Sequence, residues 1–331
     1  MKKLLFLPFL VVVAAVAWAA YVVLAPAGSY KETFLEILPG TPTMQIAAQL
    51  KKHGLIRSKY AFEAERLLKG GTLKAGEYRF DHPSPMSEVY DRIEHGDVYT
   101  IAVTIPEGSN LFDIADRLES ANLVTKDQFL TAARSNVALI SDLDPSATSL
   151  EGYLFPDTYH FERHVSPTQI LAGMVKRFRQ EAASLGLNDN YHHVVTVASL
   201  VERETPIDSE RQLVASVFEN RLTKDMPLET DPSVIYAALL EGRYRGTIYA
   251  SDLQADSPYN TYRYPGLPPG PICNPGAASL KAALKPANTG YLYFVAASAN
   301  PSGKSKFSTT LEEHARDVEH YRQALRASGT R

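Results

Sequence analysis

The sequence predicts an α+β protein: one apolar N-terminal helix, a small α+β module, and a larger domain of mixed α+β type. Three observations carry this expectation. No charged residue lies between Lys3 and Lys31. Two segments, beginning at Leu38 and Ile105, repeat one pattern whose matched residues lie 68 positions apart. Beyond them helical periodicities follow one another without the regular strand and helix alternation of a βαβ domain. With 331 residues, 45% of them hydrophobic and 21% charged, the chain has ordinary globular composition and room for two domains.

The first element is the apolar run. Leu4 to Ala25 gives 22 mostly apolar positions, and a membrane-spanning helix needs about 20. Lys2 and Lys3 in front of it orient the N-terminus to the cytoplasm and the remainder outside. Ala17-Trp18-Ala19 has the small-x-small form of a signal cleavage site, so a processed secreted chain is the alternative. The run continues through Tyr21 to Leu24 past that site, which favours a retained single-pass anchor over residues 1–30. No cysteine follows the run, so lipid attachment has no support.

The small module spans 31–100. "LPGTPTMQIAAQLKKHGLI" from Leu38 and "IPEGSNLFDIADRLESANLV" from Ile105 share Gly40/Gly108, Ile46/Ile114, Ala47/Ala115, Leu50/Leu118 and Leu55/Leu123. Each reads as a strand end, a turn and an amphipathic helix. After the first copy, "LKAGEYRF" is a strand signal entered at Gly76, and "SPMSEVYDRIEHG" is a short helix stopped at Gly96. The second copy, 101–133, leads into the large domain, 101–331. There the patterns predict helices over Pro167–Leu185, Tyr191–Glu204, Ser209–Leu222 and Pro232–Leu240. A proline- and tyrosine-rich loop, 257–276, precedes a strand, "YLYFVAAS", and an amphipathic terminal helix, "TLEEHARDVEHYRQALRAS".

Composition narrows the function classes. A net charge of −3 without a long Lys/Arg run argues against nucleic acid as a partner. No Walker or Rossmann glycine motif, HExxH or paired CxxC occurs, so neither a cofactor nor a metal is expected. The single cysteine, Cys273, has no partner for an internal disulfide and, in "GPICNPG", no histidine nearby to activate it as a nucleophile.

"VVTVASLVERET", Val194 to Thr205, is the most informative helix. Only Thr196 and Ser199 interrupt its apolar positions before Glu202, Arg203 and Glu204, and Pro206 ends it. A core helix whose charged last turn meets water is the plain reading. Against it, Glu202 follows Val195, Ala198 and Ser199 on one helical face and sits at the unfavourable end of the helix dipole. Burial and the dipole both disfavour its charge, and a carboxyl kept protonated near neutrality is what a general acid requires. Glu204, two positions on, points the other way and is expected to matter less.

Five stretches, "LEGYLFPDTY", "VASLVERET", "VFENRLTKDMPLETDPSVIYA", "SPYNTYRYPGLPPGPICNPG" and "YLYFVA" with "KFSTTLEEH", resemble in order and spacing the YceG-like family of endolytic murein transglycosylases. The resemblance implies a membrane-anchored periplasmic lyase that cuts glycan strands of peptidoglycan internally and leaves 1,6-anhydro-muramyl ends. It implies nascent strands as substrate, peptidoglycan synthases as neighbours, and a LysM-like, glycan-binding character for the small module. Glu202 falls on the family's catalytic glutamate. One carboxyl suits this chemistry, because a muramic acid residue supplies its own 6-hydroxyl where a hydrolase needs a second carboxylate.

The substrate-binding candidates are Glu151, Glu229, Asp231, Tyr259, Asn260 and Tyr262. Glu151 opens the turn before "GYLFPDTY" and could equally be a surface or capping carboxylate. Glu229 and Asp231 lie on a turn leading to a helix, where Asp231 could be only an N-cap before Pro232. Tyr259, Asn260 and Tyr262 alternate aromatic faces with an amide, which suits sugar stacking and hydroxyl hydrogen bonding, while a loop packed on the core is the alternative. Three positions depart from the family pattern: Glu229 stands for glutamine, Ser305 for histidine and Ala315 for asparagine. A non-catalytic, membrane-tethered wall-binding scaffold is the rival reading; the intact "VERET" and "SPYNTY" favour the enzyme.

Overall fold

The computed structural model describes residues 6–298, 300 and 303–327, with side chains from residue 9 onward. The chain divides into two compact units, 1–102 with 160–164, and 103–159 with 165–331. The first begins with helix α1 (Phe6–Leu24). The span expected over Leu4–Ala25 thus begins outside the described residues. Among the described residues no helix is long and apolar enough to cross a membrane. At the end of α1, Arg57 donates to the carbonyls of Ala25 and Pro26 and lies 4.7 Å from the Tyr21 ring centroid.

The rest of this unit is strand β1 (Thr33–Ile37), helices α2 (Thr43–Lys52) and α3 (Lys59–Lys69), strand β2 (Gly76–Phe80) and helix α4 (Met86–His95). β1 and β2 pair antiparallel with Leu35 opposite Tyr78 and Ile37 opposite Gly76. Alternation puts Leu35, Ile37, Tyr78 and Phe80 on one face, where Ile46, Ala47, Leu50 and Phe62 close a core. Gly96, with φ 77°, caps α4 where the sequence stops it.

β3 (Ile101–Thr104) opens the repeat's second copy, followed by α5 (Leu111–Ser120) and α6 (Lys126–Ser135). The two copies agree in detail. Gly40 and Gly108 both take left-handed φ, 78° and 75°, and Ile114, Ala115 and Leu118 are buried as their counterparts are. Each copy extends to a second helix that the sequence comparison stopped short of. β3 pairs with β4 (Thr158–Phe161).

The larger unit continues through α7 (Pro167–Leu185), α8 (Tyr191–Glu204), α9 (Asp208–Thr223), α10 (Asp231–Leu240), α11 (Ala250–Leu253), α12 (Ala277–Leu284), β5 (Tyr293–Ala296), β6 (Ser305–Ser308) and α13 (Leu311–Ala327). α8 is the axis of this unit. Val194 to Val201 are all buried, Thr196 and Ser199 included, with α9, α10 and α12 packed around them. Ser199 is accommodated inside because its hydroxyl donates to Thr196 O and accepts from Ile272 N, whereas the Thr196 hydroxyl is buried with no hydrogen-bond partner among the described residues. α12 and β6 went unread in the sequence. "AASLKAAL" is short and small-sided, and Gly276 before it reads as the end of a loop.

Gly152, in "LEGY", has φ 88°, and a Cβ there would overlap Pro271 and come within 2.8 Å of Val195. Strain in the left-handed region adds to overpacking, so Gly152→Ala is expected to cost about 2–4 kcal/mol in urea denaturation. Gly173→Ala, in the interior of α7 with nothing within 4 Å, should instead stabilise by up to about 1 kcal/mol.

Candidate functional site

α8 ends in two carboxylates that part company. Two residues on a helix are about 200° apart, so Glu202 and Glu204 face opposite sides. The Glu202 side chain is 7% exposed and ion-paired to Arg211, whose Nη1 lies 3.2 Å from its Oε1. Its Oε2 accepts the Gly276 N–H at 3.0 Å. Arg211 is itself fixed by Asp208 at 3.0 Å and by the Ser279 hydroxyl at 2.6 Å. Glu107 lies against Gly276 beside this pair; burial, and then the Glu202 charge, push its pKa up. The burial of Glu202 is legible in the sequence; its ion pair with the Arg211 guanidinium is not.

Glu204 faces a groove of about 390 Å³. Its walls come from α8, α9, the 228–231 turn, Tyr262, β5 and α13, with Leu228, Phe218 and Phe294 at the apolar side and Arg221, Glu229, Asp231 and His314 at the polar side. The Thr230 hydroxyl donates to the Glu204 carboxylate. Burial, with the Asp231 charge in second place among the raising effects, pushes its pKa up to about 6 against that hydrogen bond. This is the range a group needs to act as acid and then as base near neutral pH.

Arg221 holds the groove's shape. Its Nε donates to Leu292 O at 2.7 Å, and its Nη1 to Pro227 O at 2.9 Å and to Glu229 Oε2 at 3.0 Å, so one fork joins α9, the 227–229 turn and the start of β5. Glu229 takes φ 54°, an uncommon conformation for a side-chain-bearing residue, and its N–H donates to Thr261 O. Asp231 is the first residue of α10 and the N-cap is Thr230, so Asp231 is not the cap that the sequence allowed. Instead its Oδ1 accepts the Tyr262 hydroxyl at 2.7 Å. Burial, then Asp231, push the Tyr262 pKa up.

Three of the expected substrate-binding residues, Glu229, Asp231 and Tyr262, therefore meet at one groove, and Glu202 is not among its lining. The other three are elsewhere. Asn260 is fully buried; its amide donates to Leu253 O and Ala255 O and its oxygen accepts from Tyr262 N, so it shapes the loop and has nothing left for a sugar. Tyr259 packs edge-on against Tyr236 at 5.1 Å and lines a small separate recess with Glu151 and Pro271. Glu151, 2% exposed, is the hub of three segments. It accepts from Leu111 N, the Tyr236 hydroxyl and Asn274 Nδ2, each at 2.9 Å.

Cys273 is buried with its thiol on Ser199 O, and burial pushes its pKa well up, which removes it as a nucleophile. The departing positions are unequal. Ser305 N donates to the buried Glu210 carboxylate at 2.8 Å, a backbone bond that any residue but proline could make, and Ala315 is exposed on α13. Glu204, Thr230, Arg221, Tyr293 and His314 were not singled out by the sequence. The second glutamate of "VERET" was the available signal, but a helix buried all round has no polar stripe to say which glutamate faces the groove.

A family model described as the YceG-like family matches residues 35–320. The endolytic murein transglycosylase of Bacillus subtilis (strain 168) is 35% identical, over 87% of this chain and 84% of that protein. The endolytic murein transglycosylase of Streptococcus pneumoniae (strain D39) is 30% identical over 90% of this chain, which spans 60% of that longer protein. The crystal structure of a yceG-like protein from Listeria monocytogenes superposes with a TM-score of 0.56 at 34% identity, covering 86% of this chain and 99% of that one.

Burial pushes the Glu151 pKa up to about 8, against its hydrogen bonds from Leu111 and Tyr236. A carboxyl whose folded pKa lies above its unfolded value holds its proton more tightly in the fold. Its contribution is complete below about pH 4.3 and is lost as pH rises towards 8, by up to about 1.4 kcal/mol per pH unit. Urea denaturation between pH 5 and 8 should show this decline. Glu151→Gln, with no proton to release, should flatten it, and an unchanged slope in the variant would place the pH dependence on another group.

Proposed function

The chain belongs to the YceG-like family, and from that premise we propose that it is a peptidoglycan lytic transglycosylase in which Glu204 is the single general acid and base. The observation that carries this is one carboxyl, raised to about 6, at the wall of a groove whose other carboxylates are already engaged, Glu229 with Arg221 and Asp231 with Tyr262. Glu202, the residue singled out by the sequence, is committed to Arg211 and Gly276.

The reaction runs as follows. Protonated Glu204 gives its proton to O4 of a glucosamine, the oxygen that links it to C1 of the preceding muramic acid residue, and the C1–O4 bond breaks. The 6-hydroxyl of the same muramic acid attacks C1, and its proton returns to the Glu204 carboxylate. The products are a 1,6-anhydro-muramyl end and a glucosamine 4-hydroxyl; no water is consumed, so no second carboxylate is required. Asp231 supports the acid form of Glu204 by its charge, while Tyr262 and Arg221 fix the turn that carries Asp231 and Glu229. The groove holds the glycan so that the 6-hydroxyl lies in reach of C1.

The proposal includes the setting. The N-terminal run anchors the chain in the inner membrane in a single pass, with Lys2 and Lys3 cytoplasmic and the enzyme in the periplasm. Supporting this, α1 carries no charged residue and exposes Phe9, Val16, Trp18 and Leu24. The first unit is read as a LysM-like glycan-binding module. Nascent strands beside peptidoglycan synthases are the substrate that such an anchor would meet.

Glu204→Gln keeps volume and hydrogen bonding but has no proton to donate, and should lower anhydro-muropeptide release from purified glycan strands by about 10²–10⁴-fold with little change in melting. Glu202→Gln should keep most of the rate and lose thermal stability, because Arg211 is left without its buried counter-charge. The reverse outcome would return the role to Glu202, and reducing-end products would point to a hydrolase. In wild type, kcat/KM should fall as pH rises above about 6, the value to which Glu204 is pushed. For the anchor, N-terminal sequencing of membrane-extracted protein should recover Met1 or its neighbour, whereas a chain beginning at Ala20 would overturn it.

A further inference from the structure

His314 lies in the first turn of α13 and lines the Glu204 groove. Its ring stacks on Tyr293 at 5.1 Å and 19°. Nothing in the sequence pattern or in the similarities above gives it a role. Its two ring nitrogens are in different situations. Nδ1 is buried without a hydrogen-bond partner. Nε2 is not among the buried unpartnered atoms and makes no hydrogen bond with the described residues, which leaves it as the nitrogen open to the groove.

A buried N–H with no acceptor is the more costly orphan, so the ring proton belongs on Nε2 and the bare lone pair on Nδ1. Burial, then the Arg221 guanidinium, push the His314 pKa down, against weaker opposing effects of Asp317 and Glu229, which keeps the ring neutral. A neutral imidazole with its one proton aimed into a groove is a hydrogen-bond donor, not a second base.

We infer that His314 is a substrate-binding residue whose Nε2–H donates a hydrogen bond to an oxygen of the bound glycan, a sugar hydroxyl or an N-acetyl carbonyl, with Tyr293 holding the ring at the required angle. This rests on the reading of the groove as the glycan site. Most of the groove's other donors are spent within the protein: Arg221 Nε and Nη1 on Leu292, Pro227 and Glu229, Tyr262 on Asp231, and Thr230 on Glu204, while Arg221 Nη2 and the Tyr293 hydroxyl make no hydrogen bond with the described residues. His314 Nε2 is thereby one of the few donors left for a ligand among the described lining residues, and the one whose ring is fixed by stacking.

The test uses the full chain in detergent. Binding of peptide-free glycan strands is measured by calorimetry in the Glu204→Gln background, where turnover is suppressed, and KM and kcat are measured with Glu204 intact. His314→Phe keeps a ring to stack on Tyr293 but has no donor, and should weaken binding and raise KM about tenfold with a smaller change in kcat. His314→Gln, whose amide nitrogen reaches about as far as Nε2, should recover most of that loss, which a merely structural ring would not allow. Nitrogen-15 spectra of ring-labelled protein, assigned by the signal missing in His314→Phe, should show the Nε2–H tautomer. Equal binding by His314→Phe and wild type, or an Nδ1–H tautomer, overturns the role of His314 and leaves Glu204 in place. Absence of glycan binding by wild type overturns both readings.

Discussion

The larger unit depends on one buried carboxyl. Glu151 sits where the start of α5, the Tyr236 face of α10 and the Asn274 loop converge, and three donors end on its two oxygens. Asn274 extends the network: its oxygen accepts from Leu154 N, its amide also reaches Ser109 O, and its backbone exchanges bonds with Ser109 and Gly108. Segments more than a hundred residues apart are thereby set in register around α8. Such a network specifies one arrangement only while every member is satisfied, and burial in this dry interior is what pushes the Glu151 pKa up to about 8 against the donors that end on it.

With α8 fixed, the last turn of that helix is divided between two tasks. One side carries Glu202 into a closed ion pair with Arg211, which ties α8 to α9 and the start of α12. The other side carries Glu204 to the groove. The division needs both: a helix held only by apolar contacts could rotate or fray at its charged end, whereas a buried pair on one face fixes the angle at which the opposite carboxyl is presented. Arg221 has the matching part on the far wall, where its fork holds the turn bearing Glu229 and Asp231.

Much of this was legible in the sequence. The period of "MQIAAQL" and "LFDIADRL" gave both amphipathic helices, and the 68-residue offset located the left-handed turns at Gly40 and Gly108. The helices α7 to α10 came within a residue or so of their ends. Glu229, Asp231 and Tyr262 were chosen on residue type and do meet in space. What has no local signature is direction. Nothing in "VASLVERE" distinguishes the side that Arg211 covers from the side that opens, since α12, unread in the sequence, decides it by packing on α8. Asn260 and Glu151 look in sequence like polar groups offered to a ligand, but the carbonyls of 253 and 255, and the donors of Leu111, Tyr236 and Asn274, had no local signature.

The placement of Cys273 has a consequence for how the chain meets oxidants. Its thiol lies under α8 on the Ser199 carbonyl and is the one sulfhydryl the chain carries. A chain with a lone thiol has no wrong internal crosslink to form while folding in an oxidising medium, and once α8 closes over it the sulfur is out of reach of small oxidants and of other chains. The sulfur becomes chemically reactive only when the interior opens, so that its modification is a sensor of damage to the fold.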